Sequence, residues 1–142
     1  MTSNVEPTTS APPPSIEGIL SKPSPYGVEE TLTRLRETIH SRNLTLFAQI
    51  AHSDLARDAG LVMQEAHVLI FGNPKGGTPL MIASPLLALD LPLKALVWQG
   101  ADGRVWVSTN SADYLRIRYS IPPELAGNLA VADAVIQQAL QS

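Results

Sequence analysis

The chain has no cysteine among its 142 residues, no long uninterrupted apolar span and no excess of basic over acidic side chains. Each absence removes a class. Without cysteine there is no disulfide framework, no thiolate nucleophile, no Cys-ligated zinc and no iron–sulfur cluster. The longest apolar stretches are broken by Pro, Asp or Lys well short of the ~18 residues a membrane-spanning helix needs. No basic segment followed by an apolar run opens the chain, so no secretory signal is expected, and a soluble, cytoplasmic protein is the expectation. Ten basic against thirteen acidic residues give a net charge of −3. That balance argues against a nucleic-acid partner, since such surfaces carry a basic excess. Two catalytic patterns are also missing. No serine sits in G-x-S-x-G, and no histidine pair has H-x-x-x-H spacing, so neither a hydrolase elbow nor a helical metal site is expected.

What is present suits one domain, because a chain of this length buries about 68–70% of its unfolded surface. Half of the twelve prolines lie in the first 25 residues. Residues 1–17 read as a disordered Pro/Ser/Thr-rich tail, too poor in large apolar side chains to offset their ordering entropy. Residues 18–142 read as a single α+β domain. Ile16 to Lys22 predicts a first strand. Val28, Leu32, Leu35 and Ile39 recur at helical spacing behind Gly27 as N-cap, with Glu29 and Glu30 at the positive end of the dipole. Leu44 to Ile50 alternates as a half-buried strand, and Ser53 to Gly60 predicts a brief helix. Ala66 to Phe71 predicts a central strand. Leu93 to Gln99 and Arg104 to Thr109 predict a hairpin across Asp102-Gly103, which makes part of the sheet antiparallel. Asn110 or Ser111 caps a helix to about Arg118. Leu125, Leu129, Ala132, Ile136 and Ala139 predict one closing helix that contains Gly127.

Chemistry concentrates in Phe71 to Pro79, a strand running into a glycine-rich loop, with Thr78 and Pro79 expected as N-cap and N1 of a helix. Free N–H groups and the dipole at such a place hold an anion. Gly72 and Gly77 share the spacing of a phosphate-binding loop. Thr78, however, stands where that motif requires lysine, which excludes a nucleotide triphosphatase of that type. Two readings stay open: the glycines serve a tight connection only, or Gly76, Gly77 and Thr78 contact a ligand while Lys75 adds charge. Asp90 and Lys94 flank a strand entrance, where they either orient a ligand or close an ion pair. His40 suits the end of its helix, His52 lies between a strand and a helix, and His67 reads as a core histidine. Trp98 and Trp106 sit on the two hairpin strands, as core or as a pocket wall.

The run from Val68 to Met81 (Val-Leu-Ile-Phe-Gly-Asn-Pro-Lys-Gly-Gly-Thr-Pro-Leu-Met) resembles the signature of domain-of-unknown-function family 302 (DUF 302). The likeness continues through Leu89 to Trp98 and Asp102 to Trp106. It begins at Lys22-Pro23-Ser24-Pro25-Tyr26 with Glu30-Thr31, and so covers about residues 18–141. The resemblance implies a curved antiparallel sheet packed by helices, a TATA-binding-protein-like β-α-β(4)-α layout, and a homodimer; it carries no established activity. Ala51, Gly100, Thr109 and Tyr119 depart from the pattern, which has two acids, a Tyr and a His at those places. A reactive centre built from those groups is incomplete here.

The leading expectation is a domain binding an anionic or polar small ligand. In that reading Gly76, Gly77 and Thr78 hold the anion, Lys75 adds charge, and His52, Asn73, Asp90 and Lys94 complete the rim. One alternative is a His52-dependent enzyme or a metal- or haem-linked redox protein. Another is a homodimeric interaction module without a ligand. No metal site and no particular cofactor is assigned, and neither a nucleic-acid nor a membrane partner is expected.

Overall fold

The computed structural model describes residues 12–141. Residues 1–11, the greater part of the expected tail, and Ser142 lie outside the described residues. Pro12 to Ile16 carry no regular structure. The first strand, β1 (Ile19–Pro23), is entered through Gly18, whose φ of +84° suits glycine. A Cβ there would also stand 2.5 Å from the Tyr114 ring.

Helix α1 (Val28–Ser41) forms where the apolar spacing predicts it, with Gly27 as N-cap, and buries Leu32, Leu35 and Ile39. Thr31 is buried beside them. Its hydroxyl donates to the Gly27 carbonyl at 2.7 Å and lies 2.6 Å from Ser24 Oγ, which pins the helix start to the end of β1. β2 (Thr45–Ala51), α2 (His52–Asp58) and β3 (Ala66–Gly72) follow. After them come α3 (Pro74–Ala83), a 3₁₀ turn at Pro85–Leu89, β4 (Leu93–Gln99) and β5 (Val105–Asn110). α4 (Ala112–Arg118), a 3₁₀ segment at Pro123–Leu129 and α5 (Val131–Leu140) complete the order.

The five strands form one sheet in the order β1-β5-β4-β3-β2, with every neighbouring pair antiparallel. The expected α+β class with a helix-packed antiparallel sheet is thus observed. The β4–β5 hairpin closes with Gly100 N–H donating to the Arg104 carbonyl at 2.8 Å, and Gly103 takes a φ of +89°.

One face of the sheet carries Leu69, Phe71, Ala95, Val97, Val105 and Val107 against α1 and α5, forming the main apolar cluster. A second cluster of Leu80, Leu87, Leu115, Ile121 and Leu129 lies under α3, α4 and the 3₁₀ segments. Arg34 joins the two helices of the main layer. Its Nε donates to the Ala139 carbonyl at 2.9 Å, a cation at the negative end of α5.

Three elements differ from the sequence expectation. β2 is an edge strand, paired on one side by β3, and mostly exposed; its register slips between Leu46 and Ala48. The expected glycine loop is the first part of α3. The expected single closing helix breaks at Ala130 into a 3₁₀ segment and α5, because the stretch holding Gly127 follows Pro122-Pro123 and winds more tightly.

Candidate functional site

Asn73, rather than Thr78, caps α3. Asn73 is extended, its Oδ1 accepts the Lys75 N–H at 2.9 Å, and Pro74 takes the first helical position with its φ already suited to the helix. The Asn73 carbonyl then accepts both Gly76 N–H and Gly77 N–H at 2.9 Å. Those two amides, expected to hold an anion, are therefore spent inside the helix. Thr78 lies further along the same helix, so it caps nothing. This corrects the anion cradle.

The same segment instead walls a cavity of about 310 Å³. Leu44, Leu93 and Val131, from the fringe of the main apolar cluster, line one side. Leu80 and Leu91, from the second cluster, line the other, so the cavity sits at the seam between the two. Phe47, on the irregular part of β2, reaches its mouth half-exposed. The floor is Gly72, Gly76 and Gly77.

Gly76 and Gly77 have no backbone reason to be glycine. Neither has a positive φ. A Cβ on Gly76 would meet nothing within 4 Å, and one on Gly77 only Leu91 Cδ1 at 3.9 Å. Glycine within a helix costs roughly 0.5–1 kcal/mol relative to alanine. Both glycines line the cavity, and no close neighbour requires their small size.

Three polar side chains reach the lining: Asn73, Thr78 and Asn128. Asn128 Nδ2 donates to the Gly76 carbonyl at 3.0 Å. With Asn73 Oδ1 also engaged, the Asn73 NH2 group, the Thr78 hydroxyl and Asn128 Oδ1 are left without a hydrogen bond among the described residues. Among the described residues no ionisable side chain lines this cavity. Asn128 was not legible as a site residue, since it looked like one more polar position in a long helix.

The other expected site residues are dispersed. Lys75 is exposed and outside the lining. His52 is exposed at the start of α2, beyond the Ala51 end of β2, whereas the cavity lies near the Thr45 end. Six strand steps separate those ends, roughly 20 Å. Lys94 turns to the opposite face of the sheet, and its Nζ donates to the Pro92 carbonyl at 3.1 Å. Asp90 caps the 3₁₀ turn; its Oδ2 accepts from Arg118 at 3.0 Å and from the Tyr119 hydroxyl. The hydrogen bond to Asp90 raises the Tyr119 phenol above its ordinary range, because the bonded proton is harder to lose beside a carboxylate.

Of the remaining histidines, His40 is exposed in the last turn of α1. His67 is buried, as read, with Nε2 2.7 Å from Glu65 Oε1. Trp98 and Trp106 stack at 6.4 Å between ring centroids, on the sheet face away from α1 and α5. Among the described residues no group of three His, Asp or Glu side chains converges as a metal site.

The fold and the Val68 to Met81 run meet in the comparison with known proteins. The family model described as Domain of unknown function DUF302 matches residues 20–142. The chain belongs to the DUF302 family. A solved DUF302 structure, the crystal structure of an uncharacterized conserved protein from Bacillus stearothermophilus, superposes with a TM-score of 0.73. The match covers 88% of this chain and 97% of that one at 19% identity, a likeness of fold. Curated relatives from Brucella carry channel names. This DUF302 chain is 35% identical over 104 residues to Fluoride-specific ion channel FluC 1 of Brucella suis, covering 73% of this chain and 41% of that protein. It is likewise 35% identical to FluC 2 of Brucella melitensis, of which it covers 38%. The chain thus spans about two fifths of the length of the curated relatives it matches.

Proposed function

We propose that this DUF302 domain is a small-molecule binding module, whose ligand is compact, uncharged and mostly apolar, with one hydrogen-bonding end. The observation that carries the reading is the pair Gly76 and Gly77: residues unfavourable in a helix line the cavity, where neither a close neighbour nor a positive φ calls for glycine. The volume is at the lower end of ordinary ligand sites, which combine apolar walls with a few placed polar groups. Asn73, Thr78 and Asn128 supply those groups for an amide-, alcohol- or carbonyl-bearing end. An anion would have no cation on the lining to offset its desolvation, so the earlier choice between an anionic and a polar ligand narrows to the polar one.

The test is a titration with benzamide, and with benzoate as the charged counterpart, followed by ligand-observed NMR and thermal shift. Saturable binding of benzamide, weaker binding of benzoate, and loss of both signals in Gly77→Val are expected. Preference for benzoate, or benzamide binding untouched by Gly77→Val, sinks the reading.

Channel activity is not carried over from the FluC-named relatives. A channel needs membrane-spanning helices or a closed barrel. Among the described residues no helix is long and apolar enough to cross a membrane, and the five strands form an open sheet with edges at β1 and β2. A homodimer is a second reading, favoured by one observation: β2 is an exposed edge that carries Leu46 and Phe47. Light scattering would read a dimer that Phe47→Lys dissolves; a monomer at all concentrations removes it.

A further inference from the structure

The face of the sheet turned away from α1 and α5 does not look like a solvated face. Antiparallel sheets with one bare face normally place polar residues there. Here the paired rows run Ser21, Ser108, Leu96, Val68 and Ile50, then Pro23, Trp106, Trp98 and Ala66. Over these rows lies a trough of about 450 Å³, with Pro13, Pro14 and Ile16 along one side. Val68, Leu96 and Trp98 line it with apolar surface, and Trp98 is held in place: its Nε1 donates to Ser108 Oγ at 2.9 Å and its ring stacks on Trp106.

Among the described residues, Lys94 is the one ionisable side chain on the lining of this trough. Its ammonium has one acceptor, the Pro92 carbonyl, which leaves donors for a partner. Neither row, nor Ile19, Asn110 and Ile70 beside Lys94, contains an Asp or Glu. A second copy laid face to face would therefore desolvate two lysines without offering either a counter-charge. An occupant of this trough needs its own negative charge and an apolar body.

We propose that this trough is a second binding site, for an amphipathic monocarboxylate: an alkyl or aryl body over Leu96, Val68 and Trp98, with the carboxylate on Lys94 Nζ. It lies across the sheet from the α3 cavity and shares no lining residue with it. The Ser21 and Ser108 hydroxyls, 2.6 Å apart on the lining, use one of their two protons between them and leave the other as a further donor to the occupant.

The experiment is a tryptophan-fluorescence titration of the full chain with sodium octanoate, 1-octanol and octylamine in parallel. Octanoate should bind saturably, at least about tenfold more tightly than octanol, with no saturable response to octylamine. Lys94→Gln should erase the preference for octanoate over octanol while leaving octanol unchanged, and Lys94→Arg should retain it. Gly77→Ala should leave octanoate binding intact, which separates this site from the α3 cavity. Equal affinity for octanoate and octanol, indifference to Lys94→Gln, or loss of octanoate binding in Gly77→Ala overturns the proposal. So does a dimer through this face that Lys94→Gln tightens, which analytical ultracentrifugation would detect.

Discussion

Asn128 and Gly76, fifty-two residues apart in the chain, are joined by one hydrogen bond: Asn128 Nδ2 donates to the Gly76 carbonyl at 3.0 Å. That bond ties the 3₁₀ segment before α5 to the first turn of α3. It holds the cavity wall at a fixed distance from Val131, and it leaves Asn128 Oδ1 for a ligand.

Asn128→Ala should lower the stability of the domain by about 0.5–1.5 kcal/mol, the ordinary net worth of such a bond. Urea denaturation reads that loss as a shift in midpoint with an unchanged slope. Asn128→Asp lacks the amide donor and should lose as much or more. A midpoint unchanged in Asn128→Ala would mean that the bond does not hold α3.

Two glycines should respond to alanine with opposite signs. Gly76→Ala adds a methyl group in a helix where nothing stands within 4 Å, so the folded state should gain about 0.5–1 kcal/mol. Gly18→Ala places a Cβ 2.5 Å from the Tyr114 ring at a φ of +84°, and should cost more than about 1 kcal/mol. Thermal melts of the two variants beside the parent test both signs. If Gly76→Ala melted lower than the parent, its glycine would have a structural role and the argument from the cavity would fail.

Tyr119 should titrate late. Its phenol is raised above the ordinary value of about 10 by the hydrogen bond to Asp90. A pKa higher in the folded than in the unfolded chain makes a contribution present below the unfolded value and lost as pH climbs through the folded one. Stability should therefore fall at alkaline pH, and part of that fall should vanish in Tyr119→Phe. Ultraviolet difference titration near 295 nm should show one late phenol that is absent from the variant. If the Tyr119 phenol titrated at the ordinary value, the Asp90 contact would not persist in solution.

Much of the architecture was legible because it rests on local chemistry. Val28, Leu32, Leu35 and Ile39 determined α1 through spacing alone, and Gly27 marked its start. Ser111 capped α4 as expected, with Oγ accepting the Tyr114 N–H at 3.2 Å. The apolar run ending at Gly72 determined β3, and Asp102-Gly103 marked the β4–β5 turn. The start of α3 differs from the sequence expectation because two cap-and-proline pairs, Asn73-Pro74 and Thr78-Pro79, compete within seven residues. The earlier pair prevailed, since Asn73 can accept from Lys75 N–H and Pro79 is tolerated within the helix.

The candidate site was legible only in part. Asn73, Gly76, Gly77 and Thr78 share one cavity because they share one short helix. The pleat sends Lys94 to the other face of the sheet, the length of β2 carries His52 away, and Asp90 is taken by Tyr119 and Arg118. Sequence by itself determined the family, most of the helices and strands and the place of the glycine-rich segment, since propensity, capping and periodicity act over a few residues. Tertiary structure decided that Asn128 belongs beside the glycines of α3, and that one sheet separates two differently lined hollows. Those outcomes depend on which residues distant in the chain pack together, and no local pattern encodes that.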